Sequence, residues 1–272
     1  MKVYAISDLH LSFQSDKPMD LFGGHWTGYE QKILDDWNSK VGKDDVGIIA
    51  GDISWAMKMD DTVKDFEYLK KLNGTKIIIR GNHDYWWKSI SRIRETLAPD
   101  VLALQNDSVR VSSSRSQFVR NSADQSASEQ IPHSQILNEN SKREHDGGAV
   151  FAGTRGWKVP ERYQTPTPDD KKIFDREVVR LELALADAQK KQADGDKLIA
   201  IMHYPPFNSL RDDSPFTKLM EKFGVAVCIY GHLHGKGGRK ELLTTKNGVK
   251  YYLTSCDLLG FAVAEIDLCS SN

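Results

Sequence analysis

No stretch of this 272-residue chain approaches the roughly 20 apolar residues that a membrane-spanning helix needs. The apolar start, residues 1–6, is too short for a signal peptide and is cut off by Asp8 and His10, so a cytoplasmic protein is expected. Cysteine is scarce: Cys228, Cys256 and Cys269 form no CxxC pair, which argues against a disulfide framework or a zinc ribbon and points to reduced thiols. Excess charge is missing too. Thirty-seven Lys and Arg meet 38 Asp and Glu, a net charge of -1 that gives no basic footprint, so nucleic acid is not an expected partner. No internal repeat is visible. What remains is an ordinary globular balance, 39% hydrophobic and 28% charged, consistent with one domain over residues 1–272.

Six apolar segments read as strands: residues 3–6, 46–50, 77–79, 149–152, 198–202 and 225–230. Most are continuous rather than alternating, which suits strands covered on both faces. Residues 30–39, 62–72 and 86–97 read as amphipathic helices between them. The clearest helix spans about 169–191, where Ile173, Val178, Leu181 and Leu185 keep a spacing near 3.6 after Pro166 and Pro168. Strands alternating with helices imply βαβ units and a mostly parallel sheet. Residues 101–111 are strand-like, and residues 250–253 and 262–266 read as a further strand pair. Residues 112–146, rich in Ser, Asn, Gln and charge, are expected to form a disordered insertion in one surface connection.

The chemistry lies immediately after the strands. Asp8 and His10 follow the first, Gly51-Asp52 the second, and Arg80-Gly81-Asn82-His83-Asp84 the third. His203 follows residues 198–202, and Gly231-His232-Leu233-His234 follows residues 225–230. Ligands of open α/β folds bind outside the carboxyl ends of strands, so these groups can converge. Five of the eight histidines occupy such places. Each cluster alone has a plain reading: Asp52 as a helix cap, Asp8 and His10 as turn residues, His203 as a satisfied structural histidine. Five clusters in equivalent positions make a shared site the better reading.

Residues two apart, as in Asp8-x-His10 and His232-x-His234, point the same way from extended backbone. Mixed Asp, His and Asn donors suit Mn, Fe, Zn or Co better than an all-oxygen Mg or Ca site. Asp8, His10, Asp52, Asn82, His203, His232 and His234 are too many donors for one tetrahedral ion. Two divalent metal ions sharing a carboxylate would use them and could clamp a phosphoryl group.

In that order and spacing the five motifs, running from residue 8 to residue 234, resemble the calcineurin-like metallophosphoesterases, in particular their bacterial-type single-domain phosphohydrolases. The resemblance implies an α/β fold, a four-layer αββα sandwich of two mixed sheets flanked by helices, with the metal site at strand C-terminal ends. It implies that Asp8, His10, Asp52 and His234 hold one ion and that Asp52, Asn82, His203 and His232 hold the other, with Asp52 bridging. His83 matches the family histidine that contacts substrate and is a candidate general acid, and Asp84 could orient its ring. The chain departs from the pattern at residues 112–146, which clouds any inference about substrate from that side.

The reaction implied is hydrolysis of a phosphate ester by metal-activated water, the pKa of which falls from about 15.7 towards 7. Arg80 is placed to reach a phosphate oxygen, with a role as a plain surface charge as the alternative. Trp55, Trp86 and Trp87 are expected to pack helices onto the sheet, with rimming of the pocket as the other reading. The expected partner is a small phosphorylated substrate such as a nucleotide, monoester or diester. A protein phosphatase, a nuclease or a non-catalytic scaffold on the same fold are the alternatives. Oligomeric state is not legible.

Overall fold

A computed structural model describes residues 1–112, 147–235 and 241–268. The insertion expected at 112–146 lies outside the described residues apart from Ser112. Two sheets form the framework. The first has the order β11-β1-β2-β3-β4 and the second β5-β6-β7-β8-β10-β9. The strands are β1 (Val3–Ile6), β2 (Val46–Ile49), β3 (Thr75–Ile79), β4 (Val101–Leu104), β5 (Asp107–Val111), β6 (Ala149–Thr154), β7 (Lys197–Met202), β8 (Val227–Tyr230), β9 (Leu243–Lys246), β10 (Val249–Leu253) and β11 (Ala264–Glu265). The helices are α1 (Tyr29–Lys40), α2 (Val63–Lys70), α3 (Ile90–Thr96), α4 (Pro168–Lys191) and α5 (Pro215–Lys222).

Alternation along the strands builds the layers. Val3, Ala5, Ile48, Ile77, Ile79 and Leu102 of the first sheet face Phe151, Ile199, Ile201, Val227 and Ile229 of the second in one buried cluster. The neighbours in each strand point the other way. Tyr4, Ile6, Ile49 and Ile78 meet Ile33 and Trp37 of α1 and Phe66 and Leu69 of α2. Val150, Ala152, Leu198 and Ala200 meet Leu181, Ala184 and Leu185 of α4 and Phe216 of α5. The result is the four-layer αββα sandwich, and burial on both faces accounts for strands that read as continuous apolar runs. Helix starts follow local chemistry. Thr167 caps α4 by accepting from the Asp170 N–H at 3.1 Å, and Ser214 with Thr217 forms a capping box before α5.

The central strands β1–β4 and β6–β8 pair in parallel, so their carboxyl ends share one edge of the sandwich. Antiparallel pairs close the margins: β11 on β1, β5 on β6 and β9 on β10. Three expectations need correction. Residues 101–111 are two strands in different sheets, because Asn106 takes a left-handed turn (φ 62°) that carries the chain across the sandwich. Residues 250–253 and 262–266 do not pair with each other, because β10 joins β8 while β11 returns to β1. Helix α3 begins only at Ile90, leaving Trp86 and Trp87 as buried anchors in the preceding loop. Among the described residues no helix is long and apolar enough to cross a membrane.

Candidate metal centre

The strand-end residues come together. Donor atoms of Asp8, His10 and His234 lie within 4.8 Å of one another, and so do those of Asp8, Asp52 and His203. The Asp52 Oδ2 atom stands between the two halves, 3.8 Å from His10 Nε2 and 3.4 Å from His203 Nε2. Asn82 Oδ1 is 2.9 Å from His203 Nε2, and the His232 and His203 rings have centroids 5.2 Å apart. All seven candidate ligands therefore belong to one constellation.

Local backbone makes this convergence possible. Asp8, His10, Asp52 and His232 all adopt left-handed conformations, with φ of 58°, 48°, 51° and 70°. Such geometry is strained for side chains other than glycine, although Asp and His tolerate it better than most. It is held by backbone bonds between the two loops: Asp8 N–H to Gly51 O at 3.0 Å and His10 N–H to Asp52 O at 2.9 Å. Two glycines are required by close approach. A Cβ on Gly81 would lie 2.1 Å from Asp52 Oδ1, and one on Gly231 would lie 2.6 Å from Asp8 Oδ2.

The donors fit a bound cation. Both ring nitrogens of His10 and the Asp52 Oδ2 atom are buried with no hydrogen-bond partner among the described residues. Buried polar atoms are rarely left this way, and each is a competent metal donor. His203 is oriented by its Nδ1, 3.0 Å from Ala50 O, which turns Nε2 towards Asp52 and Asn82. Burial drives the His10 pKa down to about 4, and burial together with the neighbouring His203 does the same to His232. Burial acts to lower His203 as well, but the Asp52 carboxylate prevails and holds it up at about 9. Asp52 is held below the usual carboxylate range in return: its burial opposes ionisation, and His203, His10 and the His83 N–H outweigh it.

His83 lies beside this cluster. Its N–H donates to Asp52 Oδ1 at 2.7 Å, and its ring centroid is 4.5 Å from that of Trp55. Trp55 also stacks on His10, with centroids 4.5 Å apart and planes inclined by 16°. Of the three tryptophans, Trp55 thus belongs to the site, whereas Trp86 and Trp87 are buried in the helix-covered core. The expected orientation of His83 by Asp84 is not seen. Asp84 Oδ1 accepts from the Ile53 and Ser54 N–H groups and from Trp86 Nε1, and Oδ2 accepts from the Gly81 N–H. His83 Nδ1 has no partner among the described residues. Burial and the Asp52 charge push Asp84 up to about 6, yet four converging N–H donors give it the role of an acceptor that ties the two loops together. Arg80 also departs from expectation, lining a separate cavity that contains none of the seven candidate ligands.

Several contributors escape the sequence reading. Ser255 Oγ and Ser7 Oγ donate to Asp8 Oδ2 at 2.8 and 2.6 Å, and Cys256 Sγ donates to Asp8 O at 3.1 Å. Tyr204 packs on His232 with centroids 4.3 Å apart. The signal for Ser255 is positional: it follows β10 as His203 follows β7, although serine and threonine do not stand out as metal-site residues.

Cavities open on two sides. One of about 840 Å³ is lined by Met19, Phe22, Trp26, Trp55, His83 and His234, among others. Another of about 410 Å³ is lined by Tyr204, Phe207, Asn208, Arg211 and His232, among others.

The model of the family described as calcineurin-like phosphoesterase matches residues 1–236. The protein TT1561 of Thermus thermophilus shares the fold with a TM-score of 0.52 at 11% identity, over 98% of each chain. A phosphopantetheinyl hydrolase from Mycobacterium tuberculosis is similar with a TM-score of 0.50 at 15% identity, covering 97% of this chain and 95% of that one. Identities this low speak for the fold alone. No curated protein matches the chain in sequence.

Proposed function

This chain belongs to the calcineurin-like phosphoesterase family, whose chemistry is metal-dependent phosphoester hydrolysis, and from that premise we propose a dinuclear phosphodiesterase acting on a small ester with an apolar leaving group. The observation that carries the reading is the position of Asp52 Oδ2, which accepts no hydrogen bond among the described residues and stands between His10 and His203. Asp8, His10, Asp52 and His234 are assigned to one ion, and Asp52, Asn82, His203 and His232 to the other. The donor set favours Mn, Fe, Zn or Co. When bound, the ions supply Lewis-acid stabilisation of phosphoryl charge and lower the pKa of the attacking water.

The protein's own groups provide the rest. Ala50 O fixes the His203 ring, and Trp55 fixes that of His10 by stacking on its face and that of His83 by a tilted contact. His83 is the group assigned to hand a proton to the leaving oxygen. Burial lowers its pKa, so its protonated form is a stronger acid than free imidazole. His83 also lines the cavity of about 840 Å³ with Met19, Phe22, Trp26 and Trp55, which receives the leaving group. The cavity beside His232 and Tyr204 takes the second ester substituent, and the presence of room on both sides favours a diester over a monoester.

Aryl and alkyl phosphate monoesters and diesters, assayed with each of the four metals, test this. Diesters should turn over faster, chelation or Asp52→Ala should abolish activity, and His83→Ala should cost alkyl esters more than nitrophenyl esters. Full activity in the chelated protein or in the Asp52→Ala variant would refute the reading.

A further inference from the structure

Outside the metal centre, charged residues crowd around a cavity of about 280 Å³. Its charged walls are Arg80 and Lys88 from the segment after β3, Arg155 after β6, and Arg176, Glu177 and Arg180 on α4. Five cations thus surround one carboxylate. Glu177 is fully buried and already serves several of them: Arg180 Nη1 is 2.7 Å away, Arg176 Nη2 3.5 Å and Arg155 Nη2 3.9 Å, while Thr154 Oγ1 donates to it at 3.2 Å. Arg80 and Lys88 form no ion pair among the described residues, and Arg80 Nε is buried without an acceptor. Burial weakens the hold of Arg155 on its proton, and the nearby Arg80 and Arg176 act in the same direction against Glu177.

Positive charge crowded around a partly buried hollow is unfavourable unless an anion offsets it. Guanidinium forks present paired N–H donors that match a phosphoryl group, and Arg80, one of the lining residues, has an Nε donor without an acceptor. We propose that this cavity is a second anion site, built for a compact oxyanion of more than one negative charge such as a phosphoryl group. The site adjoins the metal centre without sharing its ligands. Arg80 lies two residues before Asn82, and the Arg155 carbonyl accepts the N–H groups of His203 and Tyr204 at 3.0 and 3.1 Å. Its occupant is therefore either free phosphate or a second phosphate carried by the substrate, and the same contacts would serve both.

The test is calorimetric titration of the metal-loaded protein with inorganic phosphate. Two binding events are expected. Chelation should remove one, and the pair Arg176→Gln with Arg180→Gln should weaken the other by at least about tenfold, the worth of one charge-assisted bond. Because that pair strips partners from buried Glu177, Lys88→Gln is the second variant: it touches no ion pair and should weaken the same event a few-fold. A single phosphate event in the wild type that chelation removes, or a second event unchanged in both variants, would overturn the proposal. Hydrolysis of an alkyl diester with and without an added terminal phosphate identifies the source. A rise in KM in the variants for the added-phosphate ester alone marks a substrate phosphate, and unchanged KM for both with the binding event lost marks free phosphate. None of these binding readouts depends on the metal centre being a hydrolase.

Discussion

Asp84→Asn separates two accounts of the same residue. If Asp84 ties the loop carrying Asn82 and His83 to the loop carrying Asp52, the substitution should register first as lost stability. An asparagine keeps one oxygen for the Ile53, Ser54 and Trp86 donors but sets an NH₂ against the Gly81 N–H. Hydrogen bonds to a charged group contribute about 1.5–3 kcal/mol and neutral ones about 0.5–1.5, so three retained bonds lose about 3 kcal/mol together. The stranded Gly81 N–H adds about 1–3 kcal/mol. Against this, burial and the Asp52 charge already hold the carboxyl above its ordinary pKa, so removing its charge recovers part of the loss. The net loss is about 1–3 kcal/mol, a fall in melting temperature of roughly 2–12 °C for a chain of this size. Scanning calorimetry on the metal-loaded protein measures it, beside His83→Asn as the control for the active-site loop. An Asp84→Asn protein with the wild-type melting temperature but a displaced pH profile would show instead that Asp84 acts through the His83 imidazole.

Ser255→Ala removes one of the hydroxyl donors on Asp8 and should weaken metal affinity about 10–100-fold, read by titration against a chromogenic chelator; unchanged affinity would sever Ser255 from the site. Gly81→Ala places a methyl group 2.1 Å from Asp52 Oδ1, so a loss of about 1–3 kcal/mol together with reduced metal content is expected by calorimetry and elemental analysis. Asp196 gives a pH signature away from the site. Burial would raise its pKa, but Arg110 and the Ala193 and Gly148 N–H groups hold it below the ordinary value. The stability this supplies is present above the ordinary carboxylate pKa and is lost as pH falls through the lower folded value. The gap in melting temperature between wild type and Asp196→Asn should therefore narrow on acidification, and a widening gap would contradict the sign.

The sequence speaks most clearly where one residue type has one physical use. Continuous runs such as residues 46–50 declare strands covered on both faces, and histidines after such runs declare a site because few other constraints gather imidazoles there. Legibility fails where outcome depends on tertiary contact. Residues 101–111 carry a polar stretch, Gln105-Asn106-Asp107-Ser108, that reads as a turn, but only tertiary structure shows that the strands on either side of the left-handed Asn106 lie in two sheets. The same limit hides Ser255, whose hydroxyl matters only because β10 ends next to Asp8. Asp84 misleads for the opposite reason: adjacency in sequence to His83 suggests a partnership, whereas its carboxylate points to the N–H groups of Ile53 and Ser54, about 30 positions away along the chain.

His10 shows what the site gives up in stability. Its imidazole is fully buried against Trp55, with neither nitrogen hydrogen-bonded among the described residues. Each such atom costs about 1–3 kcal/mol, so a ring of similar shape without nitrogens should suit the metal-free fold better. In His10→Phe the stacked geometry persists, although phenylalanine tolerates the left-handed backbone at φ 48° less well than histidine. Crowding by the larger ring offsets about half of the gain, on the order of 1–3 kcal/mol. With chelator present the variant should melt above wild type by several degrees, equivalent to about 1–3 kcal/mol. With metal at about 1,000 times its Kd the order should invert, since wild type then gains about 4.1 kcal/mol from the ion that the variant can no longer hold. A variant that melts below wild type in chelator would mean that the His10 nitrogens are satisfied within the protein, and the strongest reason for placing a cation between His10 and Asp52 would be gone.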